Sequence, residues 1–360
     1  MSVSISTQIM QKLVNKVSKG ASNNKLLALT SFVYINLKNN QLSLTTTDMT
    51  NYVTATEYNV EGEDFSVVIS LDNFGKLVGK TTTENITLDL SQNSLKFIGN
   101  GTYNIELPTN EEGQPIKYPM YDFIPSEEPI TVKYADIKSI ITANKSCLSA
   151  DMSQPVLTYY YCGDSVVSAD QYNICINDIQ LFNKPLLISN VMMDLLSLFG
   201  DKEINVNMNE TAIQFVTPNF CVYGKLFNDV ESYPAEPILA YKDAEFEYNC
   251  QISRELMLGA IDRLSIFVDK LDSGKLIFEF TDKNLTIYNA NRTSFETIPY
   301  LKTTDTDRTG NSVCNVNSEL IHDQLVSNSD DNIDIYYSEN GDCLKLIDGD
   351  IIKITSLMED

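Results

Sequence analysis

The sequence predicts an α+β fold built from three tandem copies of one module, and two observations carry that prediction. The order helix, strands, helix, strands recurs three times along the chain, once in roughly 115 residues. In each copy the central hairpin returns in similar text: LSLTTTDMTNYVTATE from Leu42, SVVSADQYNICI from Ser165 and LTIYNANRTSFETI from Leu285. Apolar and polar residues alternate there at period two around a turn, which is an antiparallel hairpin pattern. Alternating strands also recur by chance in β-rich chains, but all four elements return in the same order each time. The length of 360 residues agrees, since it exceeds what one hydrophobic core normally serves.

The first copy opens with an amphipathic helix. Met10, Leu13, Val14 and Val17 fall at i, i+3, i+4 and i+7, and Ser6 or Thr7 is placed to cap it. TSFVYINL and the central hairpin follow as strands. A second helix spans 70–80, with Ser70 as N-cap and Leu71, Phe74, Leu77 and Val78 as its buried face. ITLDLSQNSLKFIG and TYNIELP close the copy as strands, and the turn-rich TNEEGQPIKYP reads as a linker. The second copy has helices at 134–148 and 189–199, the latter stopped by Gly200, and ends at a second break, SYPAEP. The third has helices at 253–270 and 317–327 and finishes with IDIYYSENGDCLKLIDGDIIKITSL. The module boundaries read from these breaks are 1–120, 121–238 and 239–360.

Composition is that of a folded chain, with 43% hydrophobic residues. No apolar run approaches the eighteen or so residues that span a bilayer, and MSVSISTQIMQKL has no signal-peptide hydrophobic stretch, so an intracellular protein without a membrane partner is expected. Seven scattered cysteines without a CxxC read as small core hydrophobes in a reducing compartment.

The net charge of -23 argues against nucleic acid until its distribution is considered. The six predicted helices hold ten Lys or Arg and eight Asp or Glu, so they carry +2 and the remaining chain -25. Lys12, Lys16 and Lys19 lie opposite the apolar face of the first helix, and Lys76 and Lys80 form an i, i+4 pair. Lys138 and Lys145 share a face away from Ile137, Ile140, Ile141 and Leu148. The third copy offers Arg254, Arg263 and Lys270, offset by Glu255, Asp262 and Asp269. Any one such helix is an ordinary solvated face. Repeated on an acidic chain, with Lys25 counted among them, these residues suit phosphates contacted without sequence preference.

Catalytic chemistry finds no support in the pattern. His322 is the sole histidine and sits beside Glu319 and Asp323 in a predicted helix. No GxSxG, Walker-type loop, HExxH or post-strand GxGxxG is present, and Asp330 with Asp331 lies in loop text. No enzyme activity, metal or cofactor is expected.

Six stretches in order resemble the bacterial sliding clamp family, the beta subunit of DNA polymerase III. LSLTTTDM resembles its strand ending in T-D, and GTYNIELP with the following YP resembles G-x-x-x-F-x-L-P and F-P. QPVLTYYY is similar to R-P-V-L-x-G, SAD to A-T-D, KLFNDVESYP to R-L-x-x-G-x-Y-P, and VNSELIHDQL to F-N-x-x-Y-L-x-D-x-L. The resemblance covers essentially the whole chain. It implies a head-to-tail homodimer ring whose helices line a hole for duplex DNA and whose sheets face outward. Such a ring tethers the replicative polymerase and meets a clamp loader through short peptide motifs, in the bacterial cytoplasm. The alternative is a clamp-like scaffold that assembles with proteins only.

The resemblance also implies sites. Ring closure matches Ile105 and Leu107 on one side and Ile266 and Phe267 on the other. A partner pocket matches Leu157, Ala169, Ile174, Pro234, Leu239, Asn317, Leu320, Ile352 and Ile354. Here the sequence departs from the family: the D-G-H-R-L stretch reads Asp170, Gln171, Tyr172, Asn173, Ile174, Leu320 replaces the tyrosine of F-N-x-x-Y, and the chain ends ITSLMED rather than in M-P-M-R-like text. This divergence, with a composition rich in Asn and Ile, points to a phage, plasmid or distant bacterial member.

Overall fold

The computed structural model describes residues 1–22, 27–200, 203–268, 273–304, 311–328, 330–339 and 341–359. The first repeat runs β1 (Ser2–Ser6), α1 (Thr7–Val17), β2 (Phe32–Lys38), β3 (Gln41–Thr47), β4 (Asn51–Tyr58), β5 (Phe65–Ser70), α2 (Leu71–Lys80), β6 (Asn85–Leu90), β7 (Ser94–Ile98) and β8 (Thr102–Glu106). The second is β9 (Ile130–Lys133), α3 (Tyr134–Asn144), β10 (Tyr159–Cys162), β11 (Val166–Ala169), β12 (Asn173–Asn177), β13 (Leu186–Ser189), α4 (Asn190–Leu196), β14 (Glu203–Met208), β15 (Ala212–Thr217) and β16 (Phe220–Lys225). A short helix, α5 (Ala235–Leu239), leads to the third: β17 (Tyr248–Ser253), α6 (Arg254–Ser265), β18 (Lys275–Phe280), β19 (Asn284–Asn289), β20 (Phe295–Pro299), β21 (Lys302–Thr303), β22 (Ser312–Asn317), α7 (Ser318–Val326), β23 (Asn332–Tyr337), β24 (Cys343–Asp348) and β25 (Ile351–Ser356). The predicted repeat is therefore a strand, a helix, four strands, a helix and three strands. The third copy adds the two-residue β21.

Two compact units emerge, residues 1–137 with 191–226 and residues 138–190 with 227–360. In the first, β1-β6-β7-β8 form one sheet and β5-β2-β3-β4-β16-β15-β14-β9 another. The second sheet is continuous because β4 pairs antiparallel with β16, with Val53 opposite Val222. In the second unit the order is β13-β10-β11-β12-β25-β24-β23-β17-β21, beside β20-β19-β18-β22. There β12 pairs with β25, with Ile174 opposite Ile354. The middle repeat thus gives its outer strands to one unit and its central hairpin to the other, which module text cannot show.

Helix α1 buries Met10, Leu13, Val14 and Val17 as its spacing requires. Each such side chain contributes roughly 1.5–3 kcal/mol on transfer from water. Ser6 stands at its N-cap but makes no side-chain bond. The Thr7 amide donates instead to the Glu84 carbonyl at 2.9 Å, so tertiary contact replaces the predicted cap. Ser70 does cap α2, accepting from the Asn73 amide at 3.5 Å. Helix α6 ends at Ser265, short of the predicted 270, and Ile266 and Phe267 leave it exposed. The core of the second unit includes Phe280 stacked on Tyr337 at 4.0 Å.

The predicted linker is strapped down in the first unit. Tyr118 stacks on Tyr34 at 5.6 Å and donates to the Phe32 carbonyl, and Tyr121 stacks on Tyr223 at 3.8 Å. Among the described residues no helix is long and apolar enough to cross a membrane.

Candidate functional sites

The basic residues come first, because their helices position them. Lys12 and Lys19 are exposed, while Lys16 is half-buried with its ammonium 4.7 Å from the centre of the Phe220 ring. Gln11 ties α1 to α2, donating to the carbonyls of Val78 at 3.0 Å and Thr81 at 3.3 Å. On α2, Lys80 is exposed and Lys76 pairs with Asp72 at 2.7 Å. This i, i+4 pair halves the positive charge that the spacing predicted there. Lys25 lies outside the described residues, as does Lys270.

Lys138 and Lys145 are exposed, on α3 and the turn that follows it, with Ile137, Ile140, Ala143 and Cys147 on the buried face. Arg254 is half-buried, and its Nε donates to the Asp330 carbonyl at 2.8 Å. Arg263 forms a bidentate pair with Glu296 of β20, a partner that helix spacing could not reveal. His322 lies 3.3 Å from Asp262 of α6 and 3.3 Å from Asp323, at the partly exposed surface between α6 and α7.

The residues proposed for ring closure lie at β8 and at the end of α6. β8 is the last strand of its sheet and β20 the first of its own, so each has one edge without a strand partner among the described residues. Ile105 on β8 is buried and Leu107 just beyond it is half-buried. Beside them runs a groove of about 600 Å³ between α2 and β8, lined by Asn73, Lys76, Leu77, Lys80, Tyr103 and Ile105 among others. In the second unit Ile266 is 77% exposed and Phe267 60%, a large apolar pair left in water.

The residues matched to a partner pocket lie within the second unit. Leu157 and Ala169 join Val167, Ile176, Leu187, Tyr233 and Ile238 in one apolar cluster, against which the half-buried Ile174, Leu239 and Ile352 pack. Pro234 is exposed between cluster members Tyr233 and Ala235. Tyr161 stacks on Tyr233 at 5.1 Å and Tyr159 meets Phe227 at 5.0 Å, aromatics within the matched stretches QPVLTYYY and KLFNDVESYP that were not among the matched pocket positions. Ile354 is buried on the same face of β25 as Ile352 but outside the cluster. Asn317 and Leu320 are also outside it. Asn317 caps α7, its side-chain oxygen accepting from the amides of Glu319 at 2.9 Å and Leu320 at 3.1 Å.

Beneath this face Lys353 is 1% exposed and donates to the Gln324 carbonyl at 2.7 Å and Ser327 Oγ at 2.6 Å. Burial pushes its ammonium below the usual lysine range. None of the seven cysteines forms a disulfide, and five of them are buried. No group of three or more metal-ligating side chains exists among the described residues.

Comparison with known proteins places this geometry. The family model described as DNA polymerase III beta subunit, N-terminal domain, matches residues 1–122. A search of curated proteins finds no match by sequence. Among solved structures, the beta subunit from the DNA polymerase of Streptococcus pyogenes is 15% identical with a TM-score of 0.88, covering 100% of both chains. The DNA polymerase sliding clamp from Bacillus subtilis is 14% identical with a TM-score of 0.87, covering 100% of this chain and 99% of that one. The DNA polymerase III subunit beta of Borrelia burgdorferi is 18% identical with a TM-score of 0.85, at the same coverages. At such identities the likeness is one of fold, and it runs the full length. Residues 1–122 thus match the DNA polymerase III beta subunit N-terminal domain model, and the whole chain, though divergent in sequence, carries the fold of the bacterial sliding clamps.

Proposed function

We propose that the protein is a DNA sliding clamp, a homodimeric ring that encircles duplex DNA and tethers a replicative polymerase and other partners. The observation that carries this reading is the match of the clamp fold along the entire chain, with a family match in its first domain. In this proposal the three modules are 1–120, 121–238 and 239–360. The expectation that the chain is not an enzyme goes with the family that its first domain matches.

Two further features support the ring. The open edge of β8 and the groove beside α2 in one copy suit the open edge of β20 and the exposed Ile266 and Phe267 of another, an addition of strand to strand with an apolar plug. Two such contacts related by a twofold axis close a ring. Lys12, Lys19, Lys80, Lys138 and Lys145 are exposed cations on helices or the turns that follow them, in a chain whose net charge is -23. Such contacts are backbone-directed and weak, which suits sliding, while acidic strands and loops discourage DNA from binding elsewhere. In this reading the protein acts in the bacterial cytoplasm, on the nucleoid or in a phage-infected cell.

Topology is the property to test. Protein assembled on a nicked circular plasmid should stay bound through gel filtration and leave when a restriction enzyme linearises the DNA. Equal retention on circle and line would mean ordinary surface binding, and no retention on either would leave a scaffold that assembles with proteins only.

A further inference from the structure

The apolar face of the second unit is flanked along the chain by acidic residues. Its half-buried lip, Ile174, Leu239 and Ile352 over Leu157 and Tyr233, offers anchors for apolar side chains. The rim around it is acidic. Asp229 and Glu231 stand on either side of Val230, Glu236 follows Ala235, and Asp170 follows Ala169, each a chain neighbour of a residue in the apolar cluster. Asp229, Glu231 and Glu236 are exposed and Asp170 is half-buried, its carboxylate fixed by the amides of Tyr172 at 2.7 Å and Asn173 at 2.6 Å.

The segments that carry the lip and these carboxylates, residues 149–161, 169–174, 227–241 and 351–359, contain a single Lys or Arg, and that is Lys353. Its ammonium is buried and spent on Gln324 and Ser327. The neighbouring Lys242 is engaged by Asp178 at 2.9 Å.

We propose, resting on the reading that this face docks partner proteins, that it takes a linear peptide whose apolar anchors are flanked by lysine or arginine. Unlike-charge complementarity at a rim steers encounter and excludes wrong partners more than it adds contact energy. An acidic peptide with the same anchors would meet a row of carboxylates, so the rim works as a filter.

Short synthetic peptides that share a Leu-Leu-Phe core and differ only in Lys, Ser or Asp flanks test this by fluorescence anisotropy on the full chain. The Lys-flanked peptide should bind about tenfold tighter than the Asp-flanked one at low salt, with the gap closing as the Debye length falls below about 10 Å above 0.1 M salt. In the Glu231→Lys/Glu236→Lys variant, where two cations stand against the remaining Asp170 and Asp229, the preference for the Lys-flanked peptide should vanish, and an unchanged melting temperature shows that the exposed substitutions leave the fold intact. Equal affinities for the three flanks, or tightest binding of the Asp peptide, would overturn the charge filter while leaving the docking face in place. Binding of none of them would remove the docking face itself, and the filter with it.

Discussion

Arg263 and Glu296 face each other as a fork on a carboxylate, with Nε 2.8 Å from Oε1 and Nη2 2.7 Å from Oε2. The pair joins α6 to the edge strand β20, close in sequence to Ile266 and Phe267 at the end of the helix. The guanidinium holds the Glu296 carboxyl below the usual carboxylate range. Because the folded value is depressed, its stabilisation is fully present above the unfolded pKa and is lost as pH falls through the folded one. Glu296→Gln should therefore lower stability at neutral pH and lose that effect in acid. Both side chains are partly exposed, so salt should also shrink the difference. Thermal melts of wild type and variant at several pH values measure it, and a penalty that grows in acid would contradict the assignment.

The ring contact makes its own prediction. Ile266 and Phe267 are exposed in one copy, so truncating them costs the monomer little, whereas in a dimer they would fill the groove beside Ile105 and Leu107. Ile266→Ala with Phe267→Ala should yield monomers with a near-normal circular dichroism spectrum. Sedimentation that still shows a dimer would place the interface elsewhere.

For DNA, the structure divides three lysines that spacing treats alike. Lys12→Glu and Lys19→Glu alter exposed side chains and should weaken DNA association without loss of folding. Each phosphate contact removed should reduce the log-log salt slope by about 0.9. Lys16 lies over Phe220, so Lys16→Glu should cost about 0.5–1 kcal/mol of stability besides any effect on DNA. Salt titrations of retention on DNA, paired with melts, separate the two roles, and an unchanged slope for Lys12 and Lys19 would put them away from DNA.

What was legible in the sequence is local. The α1 face, the Ser70 cap and the three hairpins follow from periodicity and turn chemistry, which act over a few residues. What was hidden depends on which surfaces meet. Nothing in the strand text predicts that β4 takes β16 as its neighbour, or β12 takes β25, since one pleated edge resembles another. Glu296 was unreadable as the partner of Arg263 for the same reason, lying 33 residues away on another element. The end of α6 was overestimated because IFVDK continues the apolar rhythm, although Ile266 and Phe267 face solvent. For the partner face, the motif positions Leu157, Ala169, Ile174, Leu239 and Ile352 do converge, while the aromatics Tyr161 and Tyr233 became visible only in the packing.

That last contrast decides how the partner face must be tested. From the sequence, cutting the chain after Lys353 looks like a clean removal of one pocket wall. In the structure β25 is hydrogen-bonded to β12 on one side and β24 on the other, so the cut would strip Ile354 to Ser356 from the middle of a nine-stranded sheet. Lost binding would then report a lost fold. Leu239 is the better position, half-buried at the end of α5 and packed against the cluster without belonging to its buried centre. Leu239→Ser removes apolar surface worth roughly 1–2 kcal/mol to a docked anchor, which corresponds to about a tenfold loss of affinity or more. Leu320→Tyr adds a second axis, because it restores the aromatic of the family stretch. If α7 walls the groove, that change should weaken a bulky anchor while sparing a small one. Titrating one polymerase-derived peptide against wild type, Leu239→Ser and Leu320→Tyr, with melting temperatures recorded alongside, reads both. Equal affinity for wild type and Leu239→Ser would mean that partners dock elsewhere on the chain.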